Sequence, residues 1–240
     1  MTRSMTNILL TGASRGIGAA AMAMLLERGA NVIGQSTAGD GERMLRADFA
    51  QEDAASELWD AALEALDGRI DVLINNAGVF AANPLNQTDE EWAVGWAEGL
   101  RVNLTSAAIL SRLAVRHWRD QKADGRLVHV ASRAGHRGDS PDHWHYAAAK
   151  GGMLAMHKTI ARAYGGDGIV SFAIAPGFVD TAMAGDYLAS RGGDGILQDI
   201  PLGRVATPDE IARVITFCAL DAPASMTGAT LDANGASYVR

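Results

Sequence analysis

Short apolar runs alternate with longer stretches of helical periodicity along almost the whole chain. The short runs predict strands at 7–11, 30–34, 44–48, 71–75, 126–131, 169–175 and 229–232, of which 44–48 has the weaker pattern. Between them the sequence predicts helices at about 17–28, 51–66, 89–120, 144–164 and 208–220. Strands that lack polar alternation and are separated by helices form parallel sheets that are covered on both faces. The pattern therefore predicts an α/β fold, a doubly wound (Rossmann-type) parallel sheet with helices on both faces.

The length and composition favour one globular domain that spans residues 1–240. A chain of 240 residues is close to the size, about 250 residues, at which a single core stops growing. With 48% apolar and 20% charged residues it has the composition of a folded protein. Its net charge of −7 provides no electrostatic footprint for a nucleic acid or an anionic membrane. We therefore expect neither of these as a partner.

Several absences in the sequence favour a cytoplasmic protein. Cys218 is the single cysteine, which excludes an intrachain disulfide framework and a cysteine-rich zinc site. The first residues have no signal-peptide pattern. No apolar stretch reaches the roughly 20 residues that a membrane-spanning helix needs.

A glycine-rich turn, Thr11-Gly-Ala-Ser-Arg-Gly-Ile-Gly18, joins the first predicted strand to the first helix. In a doubly wound sheet, ligands bind beyond the carboxyl ends of the strands, where this turn lies. Glycines let the backbone approach a pyrophosphate, and the amino terminus of a helix offers free N–H groups to it. A turn of this kind also occurs without a ligand, but its position after the first strand favours a dinucleotide.

The end of the second predicted strand bears on which dinucleotide binds. NAD-specific sites place a carboxylate there, about 20 residues past the glycines, to bond the ribose hydroxyl. This chain has Gly-Gln-Ser-Thr at 34–37 and no acid before Asp40. Arg15, inside the glycine turn, can reach the same region and pair with a 2′-phosphate. We expect NADP(H) to be preferred. The alternative is that Arg15 is a solvated loop charge and that NAD(H) binds as well.

A tyrosine and a lysine lie four residues apart in a predicted helix, Tyr146-Ala-Ala-Ala-Lys150, so that their side chains share one face. The ordinary pKa of tyrosine, near 10, is too high for efficient proton transfer at neutral pH. A neighbouring ammonium group favours the phenolate. Ser132, which follows the preceding strand, is placed to hold a carbonyl group in line with the phenol.

Several motifs occur together in one order: TGASRGIG at 11–18, NNAG at 75–78, VNL at 102–104, YAAAK at 146–150, APGFVDT at 175–181 and TGATLDANG at 227–235. In these motifs the chain resembles the short-chain dehydrogenase/reductase family along nearly its whole length. Within that family the pattern is most similar to bacterial 3-oxoacyl-[acyl-carrier-protein] reductases.

The resemblance implies four catalytic residues. Tyr146 would be the general acid in reduction and the general base in oxidation. Lys150 would bond the nicotinamide ribose and lower the pKa of Tyr146. Ser132 would orient the carbonyl, and Asn103 would hold a water that links Lys150 to solvent.

The remaining site residues are assigned to the cofactor, mostly through the same resemblance. Tyr146 and Lys150 are joined in this set by Gly12, Ser14, Arg15, Gly16, Ile17, Gly18, Ser36, Thr37, Asp48, Asn75, Ala77, Gly78, Pro176, Gly177, Val179 and Thr181. In the family's pattern the glycines line the pyrophosphate and Asp48 bonds adenine. Residues 75–78 flank the adenosine ribose, and residues 176–181 bracket the nicotinamide.

The segment between Ser132 and Tyr146 departs from the family pattern, because these two residues are 14 apart, one more than is usual. The loop at 133–145 is rich in charged and ring side chains. Its histidines, His136, His143 and His145, lack a convincing carboxylate or cysteine to complete a metal site, so we expect no metal.

Two further expectations concern the lid and the assembly. The segment at about 182–200 contains Gly192, Gly193 and Gly195, which would let it hinge over a substrate.

Small residues on the Tyr146 helix, together with the family resemblance, imply a homotetramer or homodimer. The alternative is an ordinary buried face within one subunit.

The sequence therefore favours an NAD(P)(H)-dependent oxidoreductase that exchanges a hydride with a carbonyl or secondary alcohol. The substrate is a small molecule, either a 3-oxoacyl thioester or a polar cyclic, sugar-like or xenobiotic ketone. A different class of protein, a dinucleotide sensor without turnover, needs the glycine turn but not Ser132, Tyr146 and Lys150. The presence of all three favours the enzyme.

Overall fold

The computed structural model describes residues 5–181 and 197–240, whose strands form one parallel sheet. The strand order is β3-β2-β1-β4-β5-β6-β7. The strands are β1 (Asn7–Leu10), β2 (Asn31–Ser36), β3 (Met44–Arg46), β4 (Val72–Asn75), β5 (Gly125–Val130), β6 (Ile169–Pro176) and β7 (Thr230–Ala233). This confirms the predicted α/β doubly wound fold.

Helices cover the two faces of the sheet. They are α1 (Gly16–Glu27), α2 (Ala54–Ala65), α3 (Asp89–Leu100), α4 (Ser106–Gln121), α5 (Ala134–Arg137), α6 (Trp144–Tyr164) and α7 (Pro208–Thr216). Each long helix coincides with a predicted one, and α1 and α4 each extend one residue beyond the predicted bounds. The four-residue α5 falls in the 133–145 loop, for which no helix was predicted.

Two apolar clusters lie on opposite faces of the sheet because successive strand residues point to opposite sides. Ile8 and Leu10 of β1 pack with α1 and α7, as Leu25 and Ile215 show. Leu9, between them, points to the other face and packs with α2 and α4. The sheet is thus buried on both faces, as apolar strands require.

Local signals account for the start of α7. Thr207 accepts a hydrogen bond from the Glu210 backbone N–H, and the Glu210 carboxylate accepts one from the Thr207 N–H. Pro208 occupies the first helical position, where its missing N–H is not needed. These two features determine where α7 begins.

The predicted helix at 89–120 is interrupted by a π-helical turn, Arg101–Thr105, between α3 and α4. Such turns insert an extra residue into a helix and are frequent at functional sites. This one carries Asn103 into the interior, where its side chain is fully buried.

The predicted lid at about 182–200 lies mostly outside the described residues. Of its last part, Ile200 is 4% exposed and packs inside the domain. Across residues 5–181 and 197–240, none of the helices combines the length and the apolar character that a membrane span requires.

Candidate active site

A cleft of about 520 Å³ runs along the carboxyl ends of the strands, within the size range of small-molecule sites. It lies where the strand order reverses, between β1 and β4, as expected for this architecture. The predicted site residues that line it are Gly12, Ser14, Arg15, Gly16, Ile17, Gly18, Ser36, Thr37, Asp48, Ala77, Gly78, Ser132, Tyr146, Lys150, Pro176, Gly177, Val179 and Thr181.

The glycine turn allows close packing that a side chain would prevent. Gly12 has a φ of +66°, and a Cβ on it would lie 2.8 Å from the Cα of Ala77. A Cβ on Gly18 would collide with the carbonyl oxygen of Gly12. Thr181 contacts the same turn, because a Cβ on Gly16 would lie 3.1 Å from its methyl group. Both ends of the turn therefore require glycine for steric reasons.

Polar contacts between the first and fourth strand ends hold this turn in place. The hydroxyl of Thr11 accepts hydrogen bonds from the N–H groups of Asn76, at 2.9 Å, and Ala77, at 3.0 Å. The Asn76 side-chain amide donates to the carbonyl oxygens of Thr11 at 2.9 Å and Gly12 at 3.0 Å. The two loops thus form one unit.

Gln35 is a structural residue of the cleft that the sequence analysis did not single out. Its side-chain oxygen accepts a 2.8 Å hydrogen bond from the Gly12 N–H, and its side-chain nitrogen donates to the Ala47 carbonyl at 2.6 Å. It therefore links the glycine turn to the segment after β3. Its position near the end of β2 is the only sequence signal for this role.

The start of α1 is suited to an anion. Within the described residues no side chain caps this helix, and its first turn contains no acid. Its N-terminal N–H groups and dipole therefore favour a negatively charged ligand. Arg15 is exposed at the same place and makes no ion pair with a described residue. Thr37 is exposed across the cleft from it, and the hydroxyl of Ser36 accepts a hydrogen bond from the Gly39 N–H.

Asn75 does not lie in the cleft, which corrects its assignment to the adenosine ribose. It is 2% exposed, and its side-chain nitrogen lies 3.1 Å from the Ser111 hydroxyl and 3.3 Å from Nδ1 of His129. As the last residue of β4 it points to the same face as Leu73, toward α4. Asn76, one residue later, lines the cleft instead.

Asn103 uses its side chain to hold backbone, not to face the cleft. Its amide nitrogen donates to the carbonyl oxygens of Val79 and Gly99 at 3.0 Å, and its side-chain oxygen accepts from the Val79 N–H at 3.0 Å. A Cβ on Gly78 would lie 2.8 Å from that oxygen. Asn103 thus secures the segment after β4 through both polar atoms of its side chain.

Ser132, Tyr146 and Lys150 lie together on one wall of the cleft. The ammonium nitrogen of Lys150 donates to the Val130 carbonyl at 2.9 Å and lies 5.7 Å from the centre of the Tyr146 ring. The Ser132 hydroxyl accepts a hydrogen bond from the Ala134 N–H at 3.1 Å and is also bonded to the Tyr146 phenol. The hydroxyl of Ser132 and the phenol of Tyr146 are therefore in contact, and the amine of Lys150 lies beside the Tyr146 ring.

Burial has the largest influence on the pKa values of Tyr146 and Lys150. It raises the pKa of Tyr146 to about 12, and the hydrogen bond with Ser132 acts in the opposite direction. Burial also lowers the pKa of Lys150 to about 8. The pKa of Tyr146 is therefore raised, whereas the sequence pattern predicted that Lys150 would lower it. The cause is the burial of the phenol, to which the Asp139 carboxylate adds. In this state the phenol is a proton donor at neutral pH.

Comparison with known proteins agrees with the geometry. A family model described as Enoyl-(Acyl carrier protein) reductase matches residues 12–235. The 3-oxoacyl-[acyl-carrier-protein] reductase of Vibrio cholerae is 36% identical over 96% of this chain and 96% of its own length. The enzyme of that name from Escherichia coli is 35% identical, and that from Pseudomonas aeruginosa 34%, with the same coverage of both chains. The chain belongs to the short-chain dehydrogenase/reductase family. As a member it is an oxidoreductase, and enzymes of this family use a nicotinamide cofactor.

The residues of this short-chain dehydrogenase/reductase fit a dinucleotide on structural grounds alone. The glycine turn lines the cleft with backbone, and the start of α1, uncapped among the described residues, offers N–H groups to a pyrophosphate. Asp48 follows β3 at the edge of the cleft, with one carboxylate oxygen accepting from the Ala50 N–H at 3.0 Å. The Asp48 side chain is exposed.

The opposite end of the cleft, where a substrate would enter, is lined by rings and charges. Arg133 lies over the ring of Phe178, 4.7 Å from its centre. Phe80 and Asp139 line the same end. In this short-chain dehydrogenase/reductase the loop after Ser132 thus contributes both a cation and a carboxylate to the substrate side.

Two of the three histidines of this loop, His143 and His145, lie near each other with 6.3 Å between ring centres, whereas His136 has other neighbours. His136 stacks on Tyr238 with 5.5 Å between ring centres, and His143 stacks on Phe80 at 3.8 Å. His145 packs against Gly99 of α3. Within residues 5–181 and 197–240, no group of three or more histidine, cysteine, aspartate or glutamate side chains is placed to hold a metal.

Proposed function

We propose that the chain is an NADP(H)-dependent carbonyl reductase whose physiological substrate is a 3-oxoacyl thioester. The observation that carries the proposal is the convergence of Ser132, Tyr146 and Lys150 on one wall of a cleft whose other end is built for a pyrophosphate. Retention of all three side chains argues against a sensor that binds dinucleotides without turnover, which would need only the glycine turn.

Each of the three residues has a defined task in the reduction. The Ser132 hydroxyl donates a hydrogen bond to the substrate carbonyl oxygen and orients it. The Tyr146 phenol donates its proton to that oxygen as the C=O bond becomes a C–OH bond. Lys150 lies beside the Tyr146 ring, where it would bond the cofactor ribose. A nicotinamide cofactor held in the cleft would supply the hydride for the new C–H bond, and the positive charge of its oxidised form would favour the phenolate left on Tyr146. A protonated Tyr146 is therefore the form needed at the start of reduction.

The preference for NADP(H) is supported by charge. The end of β2 carries Ser36 and Thr37 and no carboxylate, so nothing there repels a 2′-phosphate. Arg15 is exposed at the mouth of the same pocket, where its planar guanidinium can pair with a phosphate through two parallel bonds. NAD(H) lacks the group that this arrangement would recognise.

The thioester is supported by the relatives, which are named as 3-oxoacyl-[acyl-carrier-protein] reductases and match over nearly the whole chain. A second candidate is a compact polar ketone. It is favoured by Arg133 and Asp139, which bring opposite charges to the substrate end of the cleft. A substrate with hydroxyl or carboxylate groups would bond to these, whereas a plain acyl chain would not.

A cytoplasmic homotetramer or homodimer belongs to the same proposal. On α6, Ala148 and Ala155 are exposed and small enough for another helix to approach closely. Gly151, by contrast, packs within the subunit, since a Cβ on it would lie 3.2 Å from the Gly135 carbonyl oxygen. Light scattering of the purified protein is expected to give the mass of two or four chains, and a monomer would refute this part.

A substrate panel tests the proposal. Purified protein is mixed with NADPH or NADH and with a 3-oxoacyl thioester, a matched 3-oxoacid ester or a cyclic hydroxyketone, and nicotinamide absorbance is followed. We expect the largest kcat/KM with NADPH and the thioester. Equal rates with the thioester and the ester would favour the hypothesis that the substrate is a polar ketone. If no ketone is turned over in either direction, the proposal that the chain is a carbonyl reductase is refuted.

A further inference from the structure

Phe80 and His143 form a stacked pair directly beside the phenol of Tyr146. Their ring centres are 3.8 Å apart and their planes differ by 9°. The Phe80 ring also meets the Tyr146 ring nearly at a right angle, with 4.8 Å between centres and 83° between planes. Both arrangements are favourable aromatic geometries. Phe80 thus lies between His143 and the proton donor.

The imidazole in this stack is itself held. Nδ1 of His143 is hydrogen-bonded to the Ser140 hydroxyl at 2.6 Å, and the residue is only 4% exposed. The loop that carries both residues is joined to the segment after β4 by a 2.8 Å hydrogen bond from the Asn83 N–H to the Asp142 carbonyl. The position of the ring plane is therefore determined by contacts from two separate parts of the chain.

We propose that Phe80 and His143 are positioning residues that hold the Tyr146 phenol in line with the substrate carbonyl, with Ser140 locking the imidazole. This inference rests on the proposed function, because it concerns the same proton transfer. Neither residue exchanges a proton with the substrate in this scheme. Ser140 acts through His143, and His143 acts through Phe80.

The size of the effect follows from the geometry of proton transfer. A displacement of the reacting atoms by about 1 Å can reduce a rate by about 100-fold. Tyr146 is four residues from Lys150 on α6, which secures its backbone, but its ring can still rotate about two side-chain bonds. An edge-to-face contact limits that rotation. Losing it is expected to lower kcat by about tenfold without removing the phenol.

A different role for Phe80 would be simply to form a wall for the substrate, since it lines the cleft. In that case its removal would raise the KM of the substrate, and changes at His143 or Ser140 would matter little. Positioning instead predicts a lower kcat with KM nearly unchanged. The two roles also differ in the solvent isotope effect, which grows only when proton donation becomes harder.

The kinetic test compares Phe80→Leu, His143→Ala and Ser140→Ala with the matched surface controls Phe217→Leu and Ser56→Ala. We expect kcat to fall by about tenfold in the first two and by about threefold in Ser140→Ala, with a larger solvent isotope effect. His143→Phe, which keeps a stacking ring, is expected to recover most of the kcat lost in His143→Ala. A rise in KM alone, or an unchanged solvent isotope effect, would overturn the proposal.

A second measurement does not depend on turnover. The chain has four tyrosines, so ring-labelled tyrosine gives few NMR signals, and Tyr146→Phe identifies the signal of Tyr146. We expect that signal to shift or broaden in His143→Ala and Ser140→Ala, but not in Ser56→Ala. An unchanged signal in the two loop variants would refute the coupling. If the signal responds while no ketone is reduced, the proposed function fails and the positioning of the phenol stands.

Discussion

The two ends of the cleft are built in different ways. The cofactor end is formed by backbone, and glycines at 12 and 18 together with Asn76 and Gln35 bring the strand ends into contact. The substrate end is formed by side chains, and its central contact, Phe80 on His143, joins residues 63 positions apart. Backbone geometry suits a ligand common to many enzymes, whereas ring packing is specific to one chain.

The interiors beneath the two ends differ in the same way. Under β1 and α1 the core is aliphatic, as Ile8, Leu10 and Leu25 illustrate. Under β5 and α6 it contains His129 and His157, both fully buried, with 6.2 Å between ring centres. Among the described residues, Nε2 of His129 has no hydrogen-bond partner. The core beneath Ser132, Tyr146 and Lys150 is therefore more polar and more sensitive to acid than the core beneath the glycine turn.

Gly18→Ala tests the backbone character of the cofactor end and has the largest effect expected at that end. The added Cβ meets the Gly12 carbonyl oxygen, so the turn must move away from the pyrophosphate position. We expect NADPH affinity to fall by about 100-fold in a fluorescence titration. Gly166→Ala is the matched control, because a Cβ there meets nothing within 4 Å. Equal affinities of the two variants would show that the turn is not a steric requirement.

Acid titration tests the support of the catalytic wall. Burial lowers the pKa of His129 to about 3 and that of His157 to about 4, below the ordinary 6.5 that applies in the unfolded chain. Below pH 6.5 the unfolded chain therefore binds protons that the folded chain does not, and the folded state loses stability.

We expect the free energy of unfolding of the wild type, measured with urea, to be about 2 kcal/mol lower at pH 5.5 than at pH 7.5. The double variant His129→Asn/His157→Gln is expected not to show this decrease. Equal pH dependence of the two proteins would mean that these histidines are not held neutral by the fold.

Lys150→Met separates activity from stability at the catalytic wall. The pKa of Lys150 is lowered to about 8 by burial, so its charge opposes folding at pH 7. We expect the variant to lose activity and to gain about 1.5 kcal/mol in free energy of unfolding. Between pH 8 and 10.5 the folded wild type is neutral at this residue while the unfolded chain is charged, so the gain should shrink. A less stable variant at pH 7 would contradict the burial penalty.

Arg15→Ala has the smallest expected effect and addresses the 2′-phosphate. Removing one charge-assisted pair is expected to lower kcat/KM for NADPH by about tenfold and to leave that for NADH within about twofold. Arg213→Ala, an exposed arginine on α7, is the control. An equal loss with both cofactors would show that Arg15 does not read the phosphate.

The difference between the two ends also explains what could be predicted from the sequence. The glycine turn and the Tyr146–Lys150 pair are local patterns, and the strand alternation sets the sheet, so these could be derived. Asn75 and Asn76 are adjacent and identical, and only the direction of β4 decides that the first points into the core. Gln35 acts through a bond to Gly12 across strands, which a single sequence does not show.

The structure of the substrate end could not be predicted from the sequence, for a physical reason. Phe80 and His143 meet only because the loop at 133–145 folds onto the segment after β4. Burial also reversed the expected direction of the pKa of Tyr146, since the shielding of a phenol depends on neighbours far away in the chain. Both features arise from tertiary packing, not from local pattern.

The central claim is that the hydroxyl of Tyr146 donates the proton during reduction. Tyr146→Phe removes one oxygen atom and keeps the ring that Phe80 contacts. The account predicts that kcat falls by about a thousandfold while NADPH binds as in wild type. A variant that retained more than about a tenth of the wild-type kcat would contradict it.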